Sequence, residues 1–349
     1  MDRIDRRTYL ALIGGGAIAI AGCTSDGEDE TEAGDDDETR SKTETDGSAS
    51  SDELGSADES DESDAATPEF GVGDRLEVGD LHVVVADLDL VADVVTGSDR
   101  EVLEADDGAA FAVVDLALQH VGDEAVVDVD DTVTVTLSDE DGETYDRVDE
   151  LDAAALDPTE RHLAPGEVVR GDLVYDVDDD IEGLVLELES LPSGETATID
   201  LDTKRDAAAS ESLEHDLTDD ALGFSQGVER AGIEVTVASL EHGNNLGGFM
   251  QSDEGYEIIA IGVLVENGSG RDRTLSAEQV QLKDEFGRIH GETSGILPAL
   301  EDFDGTTLNA GEEHESKIAY QVEEGLSELY WVFDFTEWGE DQRVIWQLR

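Results

Sequence analysis

The feature that most constrains the fold of this 349-residue chain is an internal repeat, in which the second half repeats the turn chemistry of the first. Three pairs of segments match in the same order: Phe-Ala-Val-Val at 111–114 with Ile-Ile-Ala-Ile at 258–261, Leu-Ser-Asp-Glu-Asp-Gly at 137–142 with Leu-Lys-Asp-Glu-Phe-Gly at 282–287, and Leu-Ala-Pro-Gly-Glu at 163–167 with Leu-Asn-Ala-Gly-Glu at 308–312. The glycines permit the positive φ of tight turns, so these motifs close hairpins and turn the chain into the next strand. The repeat predicts two copies of one domain.

Short apolar runs separated by Gly and Asp turns fill both copies, a spacing typical of an all-β sandwich. The first copy predicts strands at 75–78, 82–90, 111–120, 133–138, 168–176, 184–190 and 196–201. The second copy predicts strands at 227–231, 233–240, 256–266, 280–283, 316–322, 329–335 and 343–348. We therefore expect domains at 70–202 and 222–349, joined by a polar connector at 203–221 for which a partly helical structure is one interpretation.

The N-terminus has the pattern of an export signal. Arg6 and Arg7 precede Leu10 and a short apolar run that ends at Gly22 and Cys23. The run is shorter than the ~20 residues that span a bilayer and contains three adjacent glycines, which disfavours an ordinary helix with a buried cysteine. The twin arginines resemble a twin-arginine signal. We predict a signal peptide at 1–22, cleavage between Gly22 and Cys23, and a lipid on the Cys23 sulfur.

Acidic residues dominate the chain, whose net charge over all 349 residues is −71. Residues 24–69 carry −17 and residues 1–23 carry +1, which leaves −55 on residues 70–349. The tract at 23–69 is too polar to bury a core, so it predicts a disordered acidic linker. Acidity spread over the folded part is typical of halophilic archaea, where molar salt screens self-repulsion. With no basic stripe to neutralise phosphates, the sequence predicts no nucleic-acid partner.

The turn motifs resemble a known family. The first copy opens on Val-Gly-Asp at 72–74, continues through a Val-rich strand, and then carries the Asp-Glu-x-Gly hairpin and the Leu-x-Pro-Gly-Glu turn. This order is similar to the telokin-like, immunoglobulin-like domain of unknown function common in prokaryotic lipoproteins. The resemblance implies two tandem immunoglobulin-like β-sandwiches and no catalytic residues. The second copy departs from the pattern at 224–227 and has Ala310 in place of the turn proline, while His120 replaces an asparagine that the second copy keeps as Asn267.

Few residues offer site chemistry. Cys23 is the only cysteine and is the expected lipid attachment site, so we expect no intramolecular disulfide and no thiolate metal site. Acidic clusters near 128–131 and 176–180 lack a calcium-loop spacing, and the seven histidines, His290 and His314 among them, show no close ligand pair. The C-terminal aromatics favour core packing over ligand stacking. We predict no metal, no cofactor and no catalytic residue. Asn267-Gly268-Ser269 is an N-glycosylation sequon on an expected loop.

The sequence thus predicts a lipid-anchored protein on the extracellular face of the cell membrane. Its function is expected to be non-catalytic: a binding or structural module that contacts a cell-surface protein or an envelope polymer. The alternative is an accessory lipoprotein that binds a solute or cation for a membrane transporter. An enzyme of another kind is a third, weaker interpretation, for which the sequence offers no motif.

Overall fold

The computed structural model describes residues 70–95, 102–148, 157–159, 161–205, 210–217, 221–247, 250–290 and 303–349. All of them belong to one compact unit, Thr67–Arg349. The described residues are almost entirely in strands and turns, with two single-turn 3-10 helices at Ala277–Gln279 and Thr336–Trp338. The predicted signal peptide and acidic linker lie outside the described residues.

Thirteen strands are described in the first domain. They are β1 (Phe70–Val72), β2 (Arg75–Val78), β3 (Leu81–Val91), β4 (Asp93–Val95), β5 (Val102–Glu104), β6 (Ala109–His120), β7 (Val127–Asp128), β8 (Val133–Ser138), β9 (Thr144–Tyr145), β10 (His162–Leu163), β11 (Val168–Asp178), β12 (Val185–Ser190) and β13 (Thr196–Lys204). A five-stranded sheet in the order β1-β13-β12-β8-β9 faces a four-stranded sheet in the order β11-β6-β3-β2. Two small sheets, β10-β7 and β4-β5, lie beside them.

Thirteen further strands are described in the second domain. They are β14 (Leu222–Gly223), β15 (Gly227–Arg230), β16 (Ile233–Gly243), β17 (Asn245–Leu246), β18 (Met250–Gln251), β19 (Tyr256–Asn267), β20 (Arg273–Thr274), β21 (Val280–Asp284), β22 (Ile289–His290), β23 (Thr307–Leu308), β24 (Glu313–Glu323), β25 (Leu329–Asp334) and β26 (Arg343–Gln347). The large sheets have the orders β14-β26-β25-β21-β22 and β15-β16-β19-β24. Each strand therefore occupies the place of the strand thirteen before it, which confirms the predicted repeat.

The fold class is confirmed: the chain forms two tandem β-sandwiches. Each predicted strand corresponds to an observed one, and the boundaries differ by at most three residues. The sequence missed the short strands, such as β7 and β10, because two-residue segments have no measurable periodicity.

The two domains fill the same sandwich with different side chains. The first core is mainly Val and Leu from both sheets, with Tyr175 as its large aromatic member. The second core contains the C-terminal aromatics, and Trp331 and Trp346 form a fully buried cross-strand pair with ring centroids 5.3 Å apart. The core-packing interpretation of the aromatics is correct for these two and for Tyr330, Phe333 and Phe335, which are also buried. Trp338 is half-buried at the end of the sandwich, where the guanidinium of Arg273 lies 5.4 Å from its ring centroid.

The second domain keeps the opening turn of the first although its sequence differs. Asp74 Oδ2 accepts a hydrogen bond of 2.9 Å from the N–H of Gly71, and Gln226 Oε1 accepts the equivalent bond of 2.6 Å from Gly223. The left-handed position that Gly73 takes at φ 88° is taken in the second domain by Ser225 at φ 68°. A side chain in this conformation costs roughly 1–2 kcal/mol.

We predict that Ser225→Gly raises the free energy of unfolding by about 0.5–1 kcal/mol, because glycine removes the left-handed strain. The reverse substitution in the first domain, Gly73→Ser, should destabilise, since a Cβ there would also lie 2.7 Å from Ser210 Oγ. Denaturant unfolding of the two variants beside the parent measures both effects. A lower stability of Ser225→Gly would contradict the assignment of strain to this turn.

Candidate functional site

The main concentration of buried charge lies at the junction of the two sandwiches. The first domain contributes the turn at 163–167 and the start of β11. The second domain contributes the hairpin β21–β22 and the first residue of β26. The connector residues 210–217 run between them and form neither helix nor strand. The junction is therefore built from two of the repeated turn motifs, at 163–167 and 282–287, together with the segment that joins the two domains.

Glu167 lies at the centre of a buried ion cluster. Its Oε1 accepts hydrogen bonds from Lys283 Nζ at 2.6 Å and from Arg343 Nη2 at 2.9 Å, and its Oε2 accepts one from Arg343 Nε at 3.0 Å. The opposite side of Arg343 donates to Asp334. The side chains of Glu167, Lys283 and Arg343 are at most 1% exposed. Two anions and two cations balance in this cluster, which a buried site requires.

The charged groups of the cluster stabilise one another in their ionised forms. Burial alone would raise the pKa of Glu167, but the adjacent cations of Arg343 and Lys283 outweigh it and hold that pKa far below its ordinary value. Burial lowers the pKa of Lys283 to about 8, against the attraction of Glu167. The carboxylates of Glu167 and Asp334 outweigh desolvation and raise the pKa of Arg343. At neutral pH the carboxylate and both cations are therefore ionised, and removing any one would leave an uncompensated buried charge.

The connector contributes His215, whose ring bridges the domains. The N–H of Val168 in the first domain donates to His215 Nδ1 at 3.0 Å, and His215 Nε2 is 3.1 Å from the carbonyl oxygen of Asp284 in the second. Nδ1 must accept, so the proton lies on Nε2 and donates to the carbonyl. Burial, with the neighbouring Lys283, lowers the pKa of His215 to about 4. The imidazole is thus a neutral structural bridge.

Two leucines fix the rest of the connector. Leu213 packs with Val84, Ala117 and Val168 on the outer face of the first domain. Leu217 packs with a cluster of second-domain residues together with Ala164. No helix is present at 210–217, so the partly helical interpretation is wrong for these residues; their hydrogen bonds go to the flanking domains instead.

A second contact places the tip of the β21–β22 hairpin against the edge strand β11. The N–H of Arg170 donates to the carbonyl of Gly287 at 3.0 Å. The carboxylate of Asp115 on β6 accepts two hydrogen bonds from the guanidinium of Arg170 in the first domain, at 2.8 and 2.7 Å. It accepts a third, at 2.6 Å, from the guanidinium of Arg288 in the second domain. Gly287 is required here, because a Cβ would lie 2.7 Å from the Val168 backbone. The hairpin therefore covers part of an edge that would otherwise be unpaired.

Burial and the nearby Asp115 raise the pKa of Asp172, which faces this contact from β11, to about 6. The Asp172 carboxyl consequently takes up a proton at a higher pH than an ordinary aspartate does. Arg288 and Arg170 oppose this shift without cancelling it.

The sequence did not reveal this junction, since the glutamate of the turn has a local role in both copies. Glu167 Oε2 accepts the N–H of Ala164 at 2.9 Å, and Glu312 Oε2 accepts the N–H of Asn309 at 2.8 Å. The distinguishing signal was Lys283, one of only four lysines, at a hairpin position where the first copy has Ser138. Arg343 likewise stands where the first copy has Thr196.

Among the predicted site residues, Arg6, Arg7, Leu10, Gly22 and Cys23 lie outside the described residues. Asn267, the predicted glycosylation acceptor, is fully buried at the end of β19. Its Nδ2 donates to the carbonyls of Arg271 at 2.8 Å and Leu308 at 2.9 Å, and its Oδ1 accepts from Ser269. Because both amide hydrogens are used and no solvent reaches the side chain, the burial contradicts a glycan on Asn267 in the folded domain. The sequon forms a turn instead.

The predicted acidic clusters and histidines do not converge on an ion. Within the described residues, no group of three His, Cys, Asp or Glu side chains is arranged to hold a metal. His290 Nε2 lies 3.3 Å from Asp284 Oδ2 beside the junction, while His314 belongs to β24. His162 lies between Asp128 and Asp334, with 3.6 Å from a ring nitrogen to a carboxylate oxygen of each, and so also joins the two domains.

Over the same described ranges, no helix has the length and apolar character needed to cross a membrane.

This architecture defines a tandem β-sandwich protein whose two domains are locked by buried charge. The chain belongs to the family described as a domain of unknown function (DUF4352), whose model matches residues 70–198 and again residues 224–343. The two matches coincide with the two sandwiches. No curated protein matches the chain.

Several solved structures are similar to the chain. A conserved hypothetical protein from Bacillus anthracis is 18% identical, with a TM-score of 0.29, and the match covers 37% of this chain and 94% of that one. An uncharacterized β-sandwich protein from Clostridium difficile 630 is 12% identical, with a TM-score of 0.28, over 38% and 95%. The yjhA protein from Bacillus subtilis is 13% identical, with a TM-score of 0.29, over 38% and 98%.

We predict that Glu167→Gln lowers the free energy of unfolding by about 3–5 kcal/mol, because Lys283 and Arg343 would then share one buried carboxylate. The matched change in the second domain, Glu312→Gln, should cost less than about 1 kcal/mol, since Glu312 is exposed and glutamine still accepts the Asn309 N–H. Denaturant unfolding at constant salt compares the two. Equal losses would show that the local turn, not the junction, is what Glu167 stabilises.

Acid should loosen the junction through His215. The unfolded chain binds a proton on this imidazole near pH 6.5, whereas the folded chain does so only near pH 4. Between these values the unfolded state holds more protons, so stability falls as the pH falls from about 6.5 to 4, by at most about 3 kcal/mol.

The difference in unfolding free energy between the parent and His215→Asn, measured across this window, isolates the contribution of His215. Asparagine can accept and donate like the neutral imidazole but does not titrate, so the variant should lose that part of the pH dependence. Parallel pH profiles of the two proteins would contradict the assignment.

Proposed function

We propose that the chain is a lipid-anchored, non-catalytic binding or structural module on the extracellular face of the membrane, contacting a cell-surface protein or an envelope polymer. Anchoring rests on the sequence from Arg6 and Arg7 to Gly22 and Cys23, which is typical of twin-arginine export followed by lipid attachment. We also propose that the two sandwiches are immunoglobulin-like and that the protein comes from a halophilic archaeon. The acidity spread over residues 70–349 supports the latter.

The binding or structural role is supported mainly by the buried ion pairs of the junction, which connect the two domains to each other. Glu167, Lys283 and Arg343 face one another between the domains and are shielded from solvent. Side chains so placed hold two sandwiches in one orientation and do not reach a substrate. A rigid two-domain body on an acidic tether presents a fixed surface to a partner.

The alternative, a solute- or cation-binding lipoprotein that serves a transporter, would place its ligand between the two domains. In the part of the chain that the structure describes, that space contains Leu213, Leu217, His215 and the ion cluster. Because these side chains occupy the space where a ligand would bind, they favour a binding or structural module over a ligand carrier.

The anchor is tested by Cys23→Ser. Without the sulfur no lipid can be attached, so the variant should move from the membrane fraction to the soluble fraction of the cells that export it. A matched serine substitution is not available at a second cysteine, so Thr24→Ala beside the attachment site serves as the control and should stay with the membrane. Continued tight membrane association of Cys23→Ser would overturn the anchor.

The contacting role is tested by crosslinking on intact cells, followed by identification of the molecule bound to the protein. Recovery of a specific protein or envelope polymer supports the proposal. Release of a small solute from the purified protein, without any such neighbour, would favour the transporter alternative.

A further inference from the structure

The junction is a contact between unlike surfaces, so a chain with two copies of the domain carries a second copy of each surface. One surface consists of the glutamate turn and the start of the edge strand, and the other is the β-hairpin that docks on it. The first domain uses its turn and strand, and the second uses its hairpin. In the part of the chain that the structure describes, no hairpin docks on the turn and strand of the second domain, Glu312 with the start of β24. We refer to this turn and strand as the second dock.

The second dock has the backbone geometry of the first. In the first domain the N–H of His120 donates to Glu167 O at 3.2 Å and the N–H of Gly166 donates to His120 O at 2.8 Å. In the second domain Asn267 donates to Glu312 O at 2.9 Å and Gly311 donates to Asn267 O at 2.6 Å.

The strand registers agree as well. Val168 and Arg170 of β11 lie opposite Gln119 and Ala117 of β6. Glu313 and Glu315 of β24 lie opposite Glu266 and Leu264 of β19. The backbone of Arg170 points away from β6 toward the docked hairpin, so the backbone of Glu315 points away from β19 in the same manner.

The second dock is open where the first is covered. Glu312, Glu313 and Glu315 are exposed, whereas Glu167 and Val168 are fully buried. A Cβ built on Gly166 would lie 2.1 Å from the connector at Asp216 O, and one built on Gly311 would meet nothing within 4 Å. Among the described residues, no strand or bridge pairs with Glu313 or Glu315 on the side of β24 away from β19.

We propose that the second dock binds a basic β-hairpin of a partner protein, which pairs with the outer edge of β24 and directs a lysine or arginine at Glu312. The template is the occupant of the first dock, in which Gly287 O receives an edge N–H and Lys283 reaches the turn glutamate. Three exposed carboxylates complement a cationic hairpin, and pairing with an exposed sheet edge supplies the backbone hydrogen bonds.

A second copy of this chain is a poor occupant. The hairpin of the first domain carries Ser138 in place of Lys283 and Glu143 in place of Arg288, and Thr196 stands in place of Arg343. Its acidic tip at 139–143 would repel the three glutamates. The duplication therefore does not continue into a filament of identical copies, and the partner must supply its own cation. This inference rests on the proposed binding function and names the surface and the chemistry of the partner.

The test uses the hairpin of the chain itself as the probe. A fluorescent peptide of residues 280–290, closed by a disulfide between added terminal cysteines and verified as a hairpin by NMR, is titrated into the folded full chain. We expect saturable 1:1 binding, with NMR shift changes at the start of β24. The same peptide carrying Lys283→Glu should bind about tenfold more weakly or worse.

Three variants of the full chain locate the contact. Glu312→Gln removes the carboxylate, and Glu315→Pro removes the outward N–H at an edge where proline is tolerated. Each should weaken binding about tenfold while circular dichroism stays unchanged. Glu229→Gln changes an exposed glutamate on β15, the opposite edge of the same sheet, and should bind as the parent does.

Absence of saturable binding, or equal binding by all three variants, overturns the second dock. Neither result decides the proposed function, because crosslinking on intact cells can still identify a partner bound through another surface. Conversely, a cell-surface partner whose capture survives Glu312→Gln and Glu315→Pro supports the proposed function and contradicts the dock.

Discussion

The burial of the Glu167 carboxylate is the constraint on which the two-domain arrangement depends. An ionised carboxylate without solvent costs several kcal/mol unless cations replace its hydration, and the two cationic side chains that donate hydrogen bonds to this one belong to the other domain. Lys283 and Arg343 come from the second domain and are equally buried. The ion pairs of Glu167 therefore cross from one domain to the other, and separation of the two domains would require water to enter and solvate these charges. The sandwiches act as one body although each has its own hydrophobic core.

Duplication explains how such a junction arises from turn residues. In both copies the glutamate caps its own turn, a role that needs no partner. The added roles depend on few substitutions elsewhere: a lysine for Ser138, an arginine for Thr196, and an apolar Val168 where the second copy has Glu313. The two docks now differ: the first is buried around the paired carboxylate of Glu167, whereas the second is exposed and carries three glutamates. Identical strand order in the two domains thus coexists with a one-directional contact between them.

The sequence predicted the features that local chemistry determines. Alternating apolar residues and Gly-containing turns located every long strand, and the 145-residue offset located the repeat. It could not predict the junction, because nothing local distinguishes a glutamate that caps a turn in solvent from one that also binds two cations. The glycosylation prediction at Asn267 was wrong for a similar reason. The same three residues fit both a sequon and a buried turn, and only the packing around the Asn267 side chain distinguishes the two. The connector looked polar by composition, yet its two leucines are the residues that fix its path.

The distribution of charge separates two kinds of electrostatic behaviour in one molecule. The exposed carboxylates repel one another through solvent, so their cost depends on ionic strength and becomes small when the Debye length falls to ~3 Å in molar salt. Salt ions do not enter the cluster of Glu167, Lys283 and Arg343, so the attraction there persists at any salt concentration that keeps the domains folded. Salt that screens the acidic surface therefore does not weaken the contact that orients the sandwiches. An ion pair on the surface would be screened by the same salt and would contribute less to the contact.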